Sequence, residues 1–229
     1  MKNIDAILEA FLEEQSNRLK QKTYRDYDDV IHFFQVYLNS YAANYLDEDE
    51  WKKWEAKFDE DEDAFTKMFG VEKLSSTKFS EFLDYFIIRK VMSGESFMEI
   101  AVRVMKKLNK WLYDNNYTDL ATYNDLREYF GEAKDLPKVE KMADLIFQQA
   151  RKTQEKQFDE IEEGYFSVKA IEQGEIWLDE TFGDKTNIGP VNVSKQISDL
   201  YQKGWQINLV IGKDQGKWHI LESENVYPY

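Results

Sequence analysis

Residues 164–170, Gly-Tyr-Phe-Ser-Val-Lys-Ala, put Phe166, Val168 and Ala170 at every second position. In an extended chain such residues share one face, whereas a helix scatters them. The same period returns at Ile176 and Leu178, and again at Ile207, Leu209 and Ile211. Gly174 and the run Lys213-Asp-Gln-Gly216 supply hairpin turns between such strands. Ser194 to Tyr201 reads as one short helix, stopped by Gly204. Residues 164–229 are therefore expected to fold as a small β-barrel, SH3-like or OB-like, of about five or six short strands.

Upstream of Gly164 the period is helical. Ile4, Ile7, Leu8, Phe11 and Leu12 make a first amphipathic helix ending near Gln21. Thr23 is the expected N-cap of a second, which carries Tyr27, Val30, Ile31, Phe34 and Leu38. Asp47 is placed to cap a third, with Trp51, Trp54, Phe58, Phe65 and Phe69 before Gly70. A fourth is expected from about Lys78 to Met92, stopping at Gly94. Ser96 and Glu99 have the spacing of a capping box for a fifth helix, with Phe97, Ile100, Val104, Leu108 and Trp111 on one side. A short helical pattern follows around Asp125–Phe130. Pro137 suits the first turn of a long helix bearing Val139, Met142, Ile146, Phe147 and Ala150, whose polar continuation from Arg151 to Glu163 reads as a linker. The expected fold class is α+β in two domains: an all-α helical bundle over 1–134, a linker helix over 135–163 and the barrel over 164–229.

The chain has 229 residues, 42% of them hydrophobic and 15% aromatic, enough for real cores and unlike the composition of disordered chains. It has no cysteine, which excludes disulfides, thiolate metal sites and a cysteine nucleophile. The N-terminus turns acidic before any apolar run develops, unlike a signal peptide, and no apolar stretch approaches the roughly 20 residues of a membrane span. A cytoplasmic location and no membrane partner are the expectation. The net charge is −14. Both ends share it, about −8 over residues 1–130 and about −5 over 161–229.

Against that background residues 101–110, Ala-Val-Arg-Val-Met-Lys-Lys-Leu-Asn-Lys, carry four positive charges and no negative one. Arg103, Lys106, Lys107 and Lys110 stand at i, i+3, i+4 and i+7, so a helix gathers them on one face, centred roughly 130° from the apolar arc and about 10 Å long. That length suits two or three phosphates on one strand of a duplex. Screening over roughly 8 Å at physiological salt lets such a face act locally in an acidic protein. The competing reading is a solvated face paired with acids elsewhere in the chain, or docked on an acidic protein.

Lys22-Thr-Tyr-Arg-Asp-Tyr27, followed by Val30, Phe33, Phe34 and Leu38, resembles the core-binding domain of phage-integrase-type tyrosine recombinases. Phe79-Ser-Glu-Phe-Leu83 and the stretch Ala101–Leu112 continue the likeness, which covers roughly residues 5–118. The resemblance implies a helical, SAM-like domain whose helices form part of a clamp on DNA. Residues 47–70 stand outside that pattern as an acidic insertion. The recombinase catalytic domain is missing: of the arginines and histidines that chemistry needs around the phosphate, only Arg127, Arg151 and His219 lie beyond residue 118. What transfers is DNA contact, through Lys20, Lys22 and Arg25 together with Arg103, Lys106, Lys107 and Lys110.

Other candidates read as structural. Asp59, Asp61 and Asp63 have the alternation of a calcium loop, but Ala64 and Gly70 stand where Gly and a bidentate Glu are required. His32 and His219 lack spaced partners for a metal set. Gly212–Lys217 has three residues between its glycines and Trp218 where a P-loop needs Ser or Thr. Trp177, Trp205, Trp218, Tyr227 and Tyr229 are expected in barrel packing or on a peptide-binding edge. The sequence thus points to a non-enzymatic DNA-binding or DNA-associated accessory protein without metal or cofactor. Its partner is double-stranded DNA or, in the alternative of a protein–protein adaptor, another protein.

Overall fold

The computed structural model describes residues 2–91, 94–153 and 157–228. They divide into two compact units, Met1–Val91 with Phe97–Lys134, and Met92–Ser96 with Asp135–Tyr229. The chain is α+β: helices occupy its first 150 residues or so, and a five-stranded sheet follows.

In the first unit, α1 (Ile4–Arg18) buries Ile4, Ile7, Leu8 and Phe11, the 3–4 spacing read from the sequence. Helix α2 (Gln21–Tyr41) starts two residues before Thr23, which lies inside its first turn; Lys20 is the N-cap and makes no side-chain cap bond. Asp47 does cap α3 (Glu48–Phe58), in a reciprocal capping box with Glu50. The expected third helix then breaks. Its acidic run folds into a turn in which Asp61 accepts from the Asp63 amide, and a separate α4 (Ala64–Met68) follows. The five carboxylates of Asp59–Asp63 at the C-terminal end of α3 oppose the helix dipole, which explains the break. Asn39 and Thr66 fasten α4 to α2 through buried hydrogen bonds, Thr66 N–H donating to Asn39 Oδ1 at 3.0 Å.

Helix α5 (Ser76–Ser80) runs directly into a π-helix, Glu81–Val91, where a single α-helix is expected. The wider coil turns Phe82, Phe86 and Ile87 inward, so Phe34 of α2 meets Phe79 at 5.3 Å and Phe82 at 5.0 Å between ring centres. The expected end at Met92 lies outside the described residues. Helix α6 (Glu95–Asp114) buries Met98, Ala101, Val104, Met105, Leu108 and Leu112. It begins one residue before Ser96, so Ser96 sits within the helix and the expected capping box does not form. Helix α7 (Leu120–Glu132), capped by Asp119, completes the unit and buries Leu126 and Phe130.

In the second unit, α8 (Leu136–Ala150) carries Pro137 in its first turn. Val139, Met142, Ile146 and Ala150 join one core with Phe166, Ile176, Leu178, Ile207 and Ile211 of the sheet. The helix of the expected linker is thus part of the sheet's packing. Phe147, expected on that apolar face, points out and lies 5.8 Å from the Arg151 guanidinium.

Strand β1 (Glu160–Glu172) begins four residues before Gly164. Its first residues are charged because they are exposed, yet they pair in register with the next-to-last strand, Glu160 opposite Lys213. A bulge between Val168 and Ala170 shifts the register, so Ala170 leaves the inward face. Strands β2 (Glu175–Glu180), β3 (Ile188–Asn192), β4 (Gln206–Asp214) and β5 (Lys217–Tyr227) follow, with α9 (Lys195–Leu200) between β3 and β4. The strand order is β1-β2-β3-β5-β4, and β4 returns to β1. The β3–β5 contact is parallel and only two residue pairs long, Val191 with Trp218 and Asn192 with His219. At the β4–β5 turn both Gln215 and Gly216 have positive φ, the left-handed geometry of a two-residue hairpin.

Candidate nucleic-acid interface

Helix α6 presents its cations on the side away from the core. Arg103, Lys106 and Lys110 are exposed and Lys107 is half-buried, as befits the cation nearest the apolar boundary, where a lysine stem covers apolar surface. Arg103 reaches Asp26 at 3.7 Å, and Lys110 reaches Asp114 at 2.9 Å. Among the described residues Lys106 and Lys107 have no ion-pair partner. The pairs that do form lie in solvent, where such contacts contribute about 0–1 kcal/mol, so a phosphate can displace them. Asp114 holds the Lys110 ammonium protonated above its usual range, mainly through its hydrogen bond.

The Arg103–Asp26 contact also sets the place of the other candidates. Asp26 adjoins Arg25 in α2, while one turn and more further on Phe33 meets Phe97 of α6 edge-on at 5.7 Å. The two helices therefore run antiparallel, and the opening turn of α2 lies beside the middle of α6. Lys22 and Arg25 of α2, and Lys20 just before it, are all exposed. The same region holds Asp26 and the exposed Asp28 and Asp29, which dilute its charge. Trp111 anchors this end of α6 by packing on Phe11 at 5.5 Å and donating its indole N–H to Glu14 at 2.6 Å.

The remaining sequence candidates are placed as follows. Asp61 and Asp63 are held by Lys67, at 2.7 and 3.4 Å, which lowers the carboxyl pKa of Asp61 through the hydrogen bond. Among the described residues no three His, Asp or Glu side chains are grouped to hold a metal ion. His32 is exposed, and His219 faces the Phe158 ring at 6.3 Å. Trp205 and Trp218 are buried in the sheet unit and Trp177 half-buried, while Tyr229 lies outside the described residues. No described helix is long and apolar enough to cross a membrane.

Sequence reasoning missed one group. Tyr37, Tyr41 and Tyr45 stand at i, i+4 and i+8, and they converge with Glu81 and Tyr85 at the start of the π-helix. That tyrosine spacing was the available signal; the arrival of Glu81 from 36 residues away was not.

Compared with known proteins, the chain matches no family model, no curated protein and no solved structure.

Proposed function

We propose that the helical unit is a non-enzymatic, DNA-associated module that grips the phosphates of duplex DNA along α6, with Lys20, Lys22 and Arg25 as a second row. The observation that carries the reading is that Lys106 and Lys107 form no ion pair among the described residues and are flanked by cations whose own pairs are solvent-exposed. Phosphate contacts position a protein without reading sequence, so binding is sequence-tolerant. The likeness to the recombinase core-binding module supports the same use of these helices, without strand-transfer chemistry. For the sheet unit we infer an OB-like barrel, partly open at the two-pair β3–β5 seam.

The protein-adaptor alternative draws on one feature: Phe182, 84% exposed in the loop after β2, edge-on to Tyr165 at 5.8 Å. Duplex binding measured against salt separates the two. Counterion release gives a log–log slope near −1.8 if only Lys106 and Lys107 engage phosphates, steepening to about −3.6 if all four α6 cations do. Lys106→Glu with Lys107→Glu abolishes binding while leaving the unfolding midpoint unchanged. Absence of association even at low salt refutes the DNA reading and favours the adaptor.

A further inference from the structure

A cavity of about 270 Å³ opens beside the junction of α5 and the π-helix, lined by Tyr37, Tyr41, Asn44, Tyr45, Glu81 and Tyr85. Its floor is Tyr37, 1% exposed, and its rim is Tyr45 and Tyr85, 53% and 40% exposed. The Glu81 carboxylate accepts from both sides: Tyr37 Oη donates to Oε2 at 2.5 Å, and the Tyr45 hydroxyl donates to Oε1. Among the described residues no lysine or arginine forms an ion pair with Glu81. Lys78, three residues earlier, does not turn to it; its ammonium lies 3.1 Å from the centre of the Tyr45 ring. The Arg89 guanidinium sits 5.5 Å from the centre of the Tyr85 ring. Two walls of the cavity thus already meet cations through their π-electrons.

A carboxylate that forms no ion pair among the described residues, set among four tyrosine rings of which two already meet the Lys78 and Arg89 cations, attracts positive charge. Each oxygen of Glu81 already accepts a hydrogen bond from a tyrosine hydroxyl, which disfavours ligands that must donate N–H bonds there. An alkylated ammonium needs no such bond: its charge is spread over methyl groups that pack on ring faces. The volume is just under the roughly 300–1,000 Å³ of pockets that take whole drug-sized molecules, so it suits a headgroup. A π-helical segment inside a helix is itself a frequent mark of a functional site.

We propose that this hollow binds a trimethylammonium group, carried by a choline-like small molecule or by a methylated lysine side chain. The proposal uses none of the cations of α6 and stands or falls apart from the DNA reading.

The test is calorimetric titration of the full chain with choline, with its neutral isostere 3,3-dimethylbutan-1-ol, and with a short peptide bearing trimethyllysine or unmodified lysine. Choline or the trimethylated peptide binds, the isostere binds at least about tenfold more weakly, and Glu81→Gln weakens binding by a similar factor. Tyr45→Ala, at a half-exposed position, weakens it likewise and serves if Glu81→Gln fails to fold. Choline binding assigns the site to a small molecule; binding of the methylated peptide alone assigns it to a protein partner. No binding of either at tens of millimolar, equal binding of the neutral isostere, or unchanged affinity in folded variants overturns the proposal.

Discussion

The two units solve burial differently. The helical unit packs ring on ring, with Phe34 stacked against Tyr37 and touching Phe79 and Phe82, and it encloses Gln15, Asn39, Thr66, Lys78 and Asn109. The sheet unit buries alternating aliphatic residues under α8 and keeps few polar side chains inside, among them Glu140. A helical surface offers positions three and four apart in every direction, which lets polar groups meet partners across elements. A sheet face offers one strict alternation, into which a polar side chain fits only by exception. The unit that tolerates interior polarity is also the one that builds the aromatic hollow and the cationic face.

The largest expected effect tests the ring-on-ring core. Phe34 is fully buried, and Phe34→Ala is expected to cost about 3–5 kcal/mol, as truncations of buried aromatics do. Urea unfolding of the full chain measures it. A loss below about 1 kcal/mol would mean that the neighbouring rings close the gap, and the contrast with the sheet would lose its basis.

The next sharpens the contrast through two interior titratable groups, one in each unit. Burial, reinforced by Asp144, raises the Glu140 carboxyl to about 8. The folded chain therefore keeps a proton that the unfolded chain releases near 4.5, so stability falls as pH rises from about 4.5 to 8, by a few kcal/mol at most at about 1.4 kcal/mol per unit. Lys78, 4% exposed, is lowered by burial and by Lys73 to about 8. Here the unfolded chain binds the extra proton between 8 and about 10.5, and stability rises with pH across that window. Together the groups produce a minimum near pH 8. Glu140→Gln removes the acid limb and Lys78→Met the alkaline one; unfolding midpoints that stay flat across pH in the wild type would exclude both.

Much of this architecture is legible in residue spacing because the regular elements obey it: Ile4 to Phe11, Val30 to Leu38 and Ile207 to Ile211 are buried as their periods require. The departures occur where a local device changes the period. The bulge at Val168/Ala170 turns Ala170 outward, the acidic run splits α3 from α4, and the π-helix rotates Phe82 and Phe86 relative to an α-helical course. The cationic face of α6 was readable since a single helix fixes it. The pairing of Arg103 with Asp26, and the meeting of Tyr45 with Glu81, depend on how separate elements pack, which no local pattern encodes.

The smallest effect concerns a sheet-unit ring whose polar end has no partner among the described residues. Tyr201 is buried beside Trp205 at 6.0 Å, and its hydroxyl has no hydrogen-bond partner. Burial alone pushes its ionisation well above the usual phenol range, so the group stays neutral and its cost is that of a lost bond to water. Tyr201→Phe removes the stranded oxygen and keeps the ring, and is expected to leave stability unchanged or raise it by about 1 kcal/mol. The matching change in the helical unit, Tyr37→Phe, breaks a made bond to Glu81 and is expected to lower stability by a similar amount. Paired urea titrations read the difference. Opposite signs follow because the Tyr37 hydroxyl is bonded to Glu81 and the Tyr201 hydroxyl is not; equal losses would show that Tyr201 also relies on its hydroxyl.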